Sequence, residues 1–189
     1  MSASPLLPTI NGERILLRQL RQSDVEAIYN IFSDPQVTRY WSTPPLSNID
    51  AASQLLDDIE ENNLRGSILK WGIALKSNDL VIGTATLFNL SLENGRAEVG
   101  YAQARAYWRQ GYMTEALLTL IAYSFEVLKL RRLEADVDPR NEASIRSLER
   151  MGFKREGFLR ERWHVAGEIQ DAYFYGLLRH EWPPKTQAS

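Results

Sequence analysis

Residues 96–137 have the sequence RAEVGYAQARAYWRQGYMTEALLTLIAYSFEVLKLRRLEADV, which predicts a β-strand, an α-helix and a second β-strand in succession. Residues 96–101 follow a Glu-Asn-Gly turn, and residues 133–137 alternate apolar with polar side chains, as half-buried strands do. Between them, the apolar side chains of residues 112–129 lie on or beside one helical stripe. A βαβ unit of this kind takes a right-handed crossover, so we expect its two strands to be parallel.

The sequence on both sides of this unit predicts further strands and helices. Upstream we expect a strand at 14–18, a helix opened by a capping box at Ser23 to Glu26 and ending near Phe32, a second helix from Ser47, and strands at 68–75 and 80–90. Downstream we expect a helix capped by Asn141 and ending at Gly152, then a hairpin of strands 153–163 and 168–178 that turns at 166–168. The prediction is one α/β domain over residues 1–189, with a central twisted mixed sheet of about six or seven mostly antiparallel strands, helices on both faces and loose tails at 1–8 and 183–189.

The composition is that of an ordinary globular protein and excludes several kinds of chemistry. Of the 189 residues, 44% are hydrophobic and 24% are charged, the net charge is -2, and no basic stripe points to nucleic acid. The chain has no cysteine, which excludes disulfides, thiolate metal sites and an acyl-enzyme carried on cysteine. Its two histidines, His164 and His180, have no metal-ligand spacing, so we expect no metal. No apolar run is long enough to cross a bilayer, so we expect a cytoplasmic protein without a membrane partner.

Gly111 lies between the first strand of the βαβ unit and its long helix, in a loop at residues 107–115. The first turn of a helix leaves unpaired N–H groups and carries partial positive charge, which suits a phosphate or pyrophosphate. A glycine there also lets the backbone approach a ligand closely, although most such glycines only make a turn. The chain contains neither G-x-x-x-x-G-K-[ST] nor G-x-G-x-x-G, which argues against the Walker and Rossmann nucleotide sites.

Several segments together resemble the GNAT acetyltransferases, over residues 12 to 180. Residues 98–101 (EVGY) and 108–117 (WRQGYMTEAL) are similar to motif A of that superfamily. Residues 141–144 (NEAS) with Gly152-Phe153 are similar to the N-x-x-S…G-F segment of that superfamily. Glu156-Gly157 and residues 173–176 (YFYG) are similar to the pattern of its RimJ/RimL branch. The resemblance implies a GNAT-like fold in which two parallel strands splay apart, here 96–101 and 133–137.

The resemblance also implies acetyl-CoA as co-substrate, bound in the cleft between the splayed strands. Backbone groups at Val99 and Tyr101 are expected to pair with the pantetheine arm, and the N–H near Val99 to stabilise the oxyanion. The N–H groups expected to bind the pyrophosphate are those of Arg109, Gln110, Gly111, Tyr112, Met113 and Thr114, and Asn141 is expected to contact the cofactor. Three positions depart from the usual motifs: Trp108 replaces Gln or Arg, Met113 replaces Gly or Ala with its side chain expected in the core, and Leu148 replaces a tyrosine acid.

Direct acetyl transfer needs a base for the amine and a proton for the departing thiolate, and the sequence offers candidates for both. We expect Ser144 to donate to the sulfur because Leu148 cannot; the alternative is that Ser144 caps its own helix. Glu156 is the candidate general base, as the resemblance to RimL-like enzymes implies, and a useful base would have its pKa raised by burial. The alternative for Glu156 is a surface ion pair with Arg160, and Glu98 is a second candidate base.

The sequence defines the acceptor amine less closely than the acetyl donor. Tyr40 and Trp41, in a proline-rich loop after the first helix, are the first candidates to line its pocket, with Glu98, Trp108 and Trp163 as others. The pKa of an α-amine is near 7.7–8.0 and that of lysine near 10.4, so deprotonating lysine at neutral pH costs about 3–4 kcal/mol more. We therefore expect a protein or peptide N-terminal α-amine as the acceptor.

Two alternatives remain open at this point. One is a small-molecule amine such as an aminoglycoside, a polyamine or an amino acid, whose pocket would differ around residues 36–48 and 160–170. The other is a CoA-binding module without turnover. In each case the chain is expected to be a monomer or a homodimer.

Overall fold

A computed structural model describes residues 7–66, 68–165 and 167–182. Apart from Leu7 and Pro8, the predicted tails lie outside the described residues, and so does Ala166 of the predicted hairpin turn. The strands are β1 (Ile10–Asn11), β2 (Ile15–Arg18), β3 (Leu69–Leu75), β4 (Val81–Ser91), β5 (Arg96–Gln103), β6 (Arg132–Val137), β7 (Lys154–Val165) and β8 (Glu168–Leu178). The α-helices are α1 (Val25–Phe32), α2 (Ile49–Arg65), α3 (Tyr112–Glu126) and α4 (Glu142–Arg150).

One sheet contains all eight described strands, in the order β1-β2-β3-β4-β5-β6-β8-β7. Every neighbouring pair is antiparallel except β5 and β6, which are parallel, as the βαβ unit predicts. The mixed, mostly antiparallel sheet is therefore confirmed. The predicted count of six or seven strands omitted β1, whose two residues are too few to show an alternating pattern.

Helices cover both faces of the sheet, as predicted. On one face, α3 and α4 pack on a core that includes Trp71, Leu120 and Tyr175. On the other face, α1 and α2 form a second core with Ala74 and Ala102. Neighbouring positions on a strand point to opposite faces, and β3, β4 and β5 contribute residues to both cores.

Two helices begin at asparagine caps, of which the sequence predicts the one at Asn141. Oδ1 of Asn141 accepts a hydrogen bond from the N–H of Ser144 at 3.2 Å, which confirms the cap of α4. Oδ1 of Asn48 accepts from the N–H of Ala51 at 2.9 Å and caps α2. An asparagine cap satisfies one of the N–H groups that the first helical turn leaves free.

The first helix begins differently from the prediction. The sequence predicts a capping box that starts at Ser23, and this is wrong, because a 3₁₀ turn at Gln22–Asp24 leads into α1. The buried carboxylate of Asp24 accepts two hydrogen bonds of 2.9 Å from the buried guanidinium of Arg18. It also accepts one of 2.8 Å from the N–H of Arg21, and these bonds fix the turn without a serine cap.

Candidate active site

The parallel strands β5 and β6 are paired over only three positions, and this opens the sheet. The pairs are Arg96 with Arg132, Ala97 with Leu133, and Glu98 with Glu134. Beyond them, β5 stays paired with β4 as far as Gln103, and β6 stays paired with β8 as far as Val137. The two strands therefore diverge and leave a cleft between residues 99–103 and 135–137. Val99 and Tyr101 lie at the opening of this cleft.

The start of α3 follows β5 after a loop of residues 104–111 and offers a row of backbone N–H groups. No atom of the described residues accepts a hydrogen bond from the N–H groups of residues 112–114, and the first helical bond runs from Glu115 to the carbonyl of Gly111 at 3.1 Å. Arg109 and Gly111 both have positive φ, 61° and 81°. Successive N–H groups in such a turn form a concavity for an anion, and the helix dipole adds positive potential. The residues present therefore fit a diphosphate.

Two side chains hold this loop in place, one from the loop itself and one from the residue before β2. The indole N–H of Trp108 donates to the carbonyl of Gln103 at 2.7 Å, which ties the loop to the end of β5. The guanidinium of Arg14 donates to the carbonyl of Gln110 at 3.1 Å and to the carboxylate of Glu115 at 2.9 Å. Trp108, one of the candidates for the acceptor pocket, thus braces the loop through its N–H group.

The carboxylate of Glu115 anchors the loop to β2. It accepts from the backbone N–H groups of Arg14 at 2.6 Å and Ile15 at 3.2 Å, in addition to the guanidinium of Arg14. Burial raises the pKa of Glu115, but the hydrogen bonds from Arg14 and Ile15 outweigh this effect and hold the pKa below its usual value. The observed loop geometry therefore contains an ionised Glu115.

Tyr101 and Ser144 connect β5 to α4 beside the cleft. The phenol oxygen of Tyr101 lies 2.7 Å from Oγ of Ser144, and either oxygen can be the donor. The hydroxyl of Ser144 is thus turned toward β5, while the cap of α4 is made by Asn141. Burial raises the pKa of Tyr101 to about 12, although the hydrogen bond with Ser144 lowers it, so the phenol is protonated at neutral pH. Sequence reasoning gave Tyr101 a backbone role only and missed its hydroxyl.

Two of the departures from the family motifs have structural explanations. Leu148 is 1% exposed and lies in the core on the α3 and α4 face. Its side chain therefore serves the packing of α4 and takes no part in the chemistry. Met113 packs against the same core, as expected. The contact of Asn141 with the cofactor stays a prediction.

Glu156 lies on β7 and forms an ion pair with Arg132 of β6. Its two carboxylate oxygens accept from two nitrogens of Arg132 at 3.0 and 2.6 Å, and 40% of its side chain is exposed. The hydrogen bond from Arg132 lowers the pKa of Glu156, and the opposing effect of burial is smaller. The alternative for Glu156, an ion pair with Arg160, is therefore wrong as to the partner, and the pKa is lowered where a useful base would have it raised. Gly176 of β8 lies directly beneath and has no side chain to separate the two charges.

Glu98 is the last residue of β5 that pairs with β6 before the cleft opens. It is 6% exposed, and its Oε1 accepts from the amide of Asn89 at 2.8 Å. Ala97 and Val99, its neighbours on β5, belong to the core beneath α3 and α4, so Glu98 points to the opposite face. A buried carboxylate thus lies at the apex of the cleft, on the side of α1 and α2.

Tyr40 lies in the loop between α1 and α2 and approaches the other end of the cleft. Its ring centroid is 5.9 Å from the guanidinium carbon of Arg140, which follows β6. Arg140 in turn donates to the carboxylate of Glu168 in the β7–β8 hairpin at 2.7 Å. The two regions expected to form the acceptor pocket, 36–48 and 160–170, are thus linked through Arg140.

Trp41 packs on α1 and contacts a cation that sequence reasoning missed. Its ring meets that of Phe32 edge to face, with centroids 5.0 Å apart. Nζ of Lys70, on β3, lies 5.8 Å from each of these two centroids. Burial lowers the pKa of Lys70 to about 8. A single lysine within the apolar strand LKWGIAL is the signal that could have found it.

Two kinds of feature are absent from the described residues. None of their helices is long and apolar enough to cross a membrane. The same residues contain no group of three or more His, Cys, Asp or Glu side chains that could hold a metal ion.

Comparison with known proteins assigns this geometry to one family. The acetyltransferase (GNAT) domain matches residues 14–154. The uncharacterized N-acetyltransferase p20 of Bacillus licheniformis is 36% identical over 176 residues, which cover 93% of this chain and 99% of that protein. The spermidine N(1)-acetyltransferase of Escherichia coli (strain K12) is 25% identical over 173 residues, which cover 91% of this chain and 90% of that protein.

A solved structure has the same fold over nearly the whole chain. Mycobacterium smegmatis RimJ in complex with CoA-disulfide superposes with a TM-score of 0.82 and 23% identity, over 94% of this chain and 90% of that chain. The GNAT domain implies acetyl-CoA as the acetyl donor, and its match includes both the divergent strands and the start of α3. The chain therefore belongs to the GNAT acetyltransferase family and is an N-acetyltransferase.

Proposed function

We propose that this enzyme transfers acetyl directly from acetyl-CoA to an N-terminal α-amine of a protein or peptide, at the cleft between β5 and β6. One observation carries the proposal: pairing of the two strands stops after Glu98 and Glu134, and the Tyr101–Ser144 hydrogen bond lies beside the opening. A thioester in this cleft would have the carboxylate of Glu98 on one side and the hydroxyls of Tyr101 and Ser144 on the other.

The donor half of the site would bind acetyl-CoA through backbone groups. The N–H groups of residues 109–114 suit the diphosphate, and the exposed guanidinium of Arg109 adds a positive charge nearby. The strand edges at Val99 and Tyr101 suit the amide groups of pantetheine, and Asn141 at the start of α4 is a further contact. Bound acetyl-CoA supplies the thioester that the amine attacks.

The hydroxyls of Tyr101 and Ser144 would supply the proton for the leaving group. The amine nitrogen bonds to the carbonyl carbon, the carbon–sulfur bond breaks, the amine loses one proton and the sulfur gains one. Because the phenol of Tyr101 stays protonated at neutral pH, it can donate to Ser144 while Ser144 donates to the sulfur. This pair takes over the role of the tyrosine acid that Leu148 replaces.

Glu98 suits the role of general base better than Glu156 does. Glu156 is held ionised by Arg132, which weakens it as a base, and 40% of its side chain is exposed. Glu98 is buried at the apex of the cleft, and within the described residues its side chain has only a neutral amide as its hydrogen-bond partner. Such a carboxylate can accept a proton from the amine directly or through a water molecule.

Two considerations support an α-amine as the acceptor. An α-amine is neutral in a larger fraction at physiological pH than a lysine side chain is, so one carboxylate suffices to deprotonate it. The second consideration is that this chain has the same fold as Mycobacterium smegmatis RimJ. The spermidine enzyme of similar length supports a second candidate, a small-molecule amine.

A thiol-release assay separates these possibilities. Because the chain has no cysteine, a thiol reagent detects only the CoA that the reaction releases. We expect acetyl-CoA with short peptides that have a free N-terminus to give turnover, and the same peptides with a blocked N-terminus and an internal lysine to give none. Turnover on polyamines or aminoglycosides alone would favour the small-molecule acceptor, and tight CoA binding without turnover on any amine would favour a binding module.

A further inference from the structure

Lys70 is a charged side chain in an apolar setting on the face of the sheet that α1 and α2 cover. Its Nζ lies 5.8 Å from the ring centroids of Phe32 and of Trp41. Within residues 7–66, 68–165 and 167–182, no carboxylate forms an ion pair with it, and burial alone lowers its pKa. Lys70 is half-buried, and an anionic partner would offset the hydration that its ammonium group loses there.

Two hydrogen bonds with the side chain of Asn63 hold the backbone of Lys70 in this place. The side chain of Asn63, on α2, accepts from the N–H of Lys70 at 2.8 Å and donates to its carbonyl at 3.2 Å. The ammonium group is therefore presented from a fixed strand, beneath the loop that contains Trp41. A fixed strand position is the kind of support that a recognition residue needs.

A row of three paired residues runs from Lys70 to the strand that borders the cleft, where the ring of Phe88 also lies against Gly100. Lys70 is paired with Thr86 on β4, and Thr86 is paired with Gly100 on β5, so all three lie on one line across the sheet. Two strand spacings separate the backbone of Lys70 from that of Gly100, about 10 Å. Oγ1 of Thr86, midway along the row, is buried and has no hydrogen-bond partner in the part of the chain that the structure describes.

We propose that Lys70 binds a carboxylate of the acceptor, so that the enzyme prefers amines that carry an acidic group a few ångströms from the reacting nitrogen. This inference rests on the proposed function, since it assumes that the amine lies near Gly100 in the cleft. Glu98, two residues before Gly100, marks the end of the site for the amine. Lys70 marks the end for the carboxylate, and Thr86 provides a hydroxyl between them.

The charges around the site discriminate against polycations. A polyamine would bring a second ammonium group toward Lys70, and like charges repel strongly where water is excluded. A carboxylate would complete a charge-assisted hydrogen bond over the two aromatic rings instead. The acidic group could be a side chain near a peptide N-terminus or the carboxylate of a free amino acid, which present the same chemistry.

The test compares matched acceptors that differ only in this charge. One arm uses peptides that begin Ala-Glu or Ala-Gln, and the other uses alanine and alaninamide, compared at equal concentrations of neutral amine. We expect kcat/KM to favour the acidic member of at least one pair by about tenfold or more, and the arm that shows this identifies the source. Equal rates within both pairs, or a preference for spermidine, would overturn the inference while leaving the acetyltransferase activity established.

Variants at two lysines assign the preference to Lys70. Lys70→Met should bring the ratio within the pair to about one, and Lys70→Arg should keep part of it because the charge remains. Lys76→Met is the matched control, since Lys76 is exposed just after the same strand and should leave the ratio unchanged. Retention of the full preference by Lys70→Met would exclude Lys70 as its cause. Absence of transfer to every amine would instead count against the proposed function.

Discussion

The phenol oxygen of Tyr101 lies 2.7 Å from Oγ of Ser144, although the two residues are 43 positions apart in the chain. Tyr101 is on the strand that leaves the sheet's parallel pair, and Ser144 is on the helix that follows its partner strand. The bond therefore joins the two sides of the cleft at its α3 and α4 face. A hydroxyl pair at this place can pass a proton toward a departing thiolate.

Removal of either hydroxyl should slow the chemical step. We expect Ser144→Ala and Tyr101→Phe each to lower kcat by roughly 10²-fold, because general acid catalysis typically contributes at least this much. If the two act as one relay, the double variant should be little worse than either single variant. Steady-state kinetics with saturating acetyl-CoA measures this.

The matched control for the serine is on the same helix. Oγ of Ser147 donates to the carbonyl of Ala143 at 2.9 Å and is directed to its own helix. Ser147→Ala should therefore leave kcat unchanged. A normal kcat in Ser144→Ala would remove the serine from the mechanism and leave it a structural partner of Tyr101.

Substitution of Gly111 and of Gly66 by alanine should distinguish a loss of cofactor binding from the cost of backbone strain. Both have positive φ, 81° and 68°, so alanine at either position should cost about 1–2 kcal/mol of stability. A Cβ at Gly111 would lie 3.2 Å from the guanidinium of Arg14, whereas one at Gly66 would meet nothing within 4 Å. Calorimetry should show that only Gly111→Ala weakens acetyl-CoA binding. Equal affinity in the two variants would show that the turn at Gly111 is not the diphosphate site.

Replacement of Glu98 and of Glu156 by glutamine should have different effects on the rate. Glu98→Gln removes the buried carboxylate at the cleft and should lower kcat/KM by roughly 10²-fold. Glu156→Gln leaves the chemistry intact and should cost at most about 1 kcal/mol of stability, because the carboxylate of this ion pair is exposed. Rate measurements with a peptide acceptor decide between them. The reverse order of effects would restore Glu156 as the base.

Acid should loosen the loop at the start of α3 through Glu115. Its pKa is held below the usual value in the folded protein, so its contribution to stability is present above the unfolded pKa, near 4.5, and is lost as the pH falls through the folded value. Glu115→Gln should therefore reduce the free energy of unfolding at pH 7 and flatten its fall below pH 5. Denaturant titrations from pH 3 to 7 measure this.

The exposed pair of Glu142 and Arg146 provides the comparison for Glu115. The side chain of Glu142 is 75% exposed, so Glu142→Gln should keep the pH profile of stability of the unmodified protein. A profile for Glu115→Gln that is as steep as that of the unmodified protein would show that Glu115 does not couple the loop to pH.

Local patterns were sufficient to predict most of the fold. The parallel pair followed from an alternating strand on each side of one amphipathic helix, and the start of α4 followed from Asn141 alone. The loop at Gly111 also follows from local sequence, since a strand, a glycine and a long helix occur in order. Where the prediction failed, as at Ser23, the guanidinium of Arg18 on β2 binds Asp24, and a 3₁₀ turn takes the place of the capping box.

The side-chain contacts of the site depend on the sheet order and were not predictable in the same way. Arg132 meets Glu156 because β8 lies between β6 and β7 and presents a glycine at Gly176. The spacing of Glu156 and Arg160 along the chain contains no information about this. The same holds for Tyr101 and Ser144, whose contact depends on how α4 packs against β5.

A crystal structure with CoA bound would show whether the cofactor lies between β5 and β6. We expect pantetheine between residues 99–101 and 135–137, the diphosphate on the N–H groups of residues 112–114, and the sulfur within hydrogen-bond reach of the hydroxyl of Ser144. A complex in which β5 and β6 stay paired through Tyr101 and Val137, with CoA bound elsewhere, would contradict this expectation.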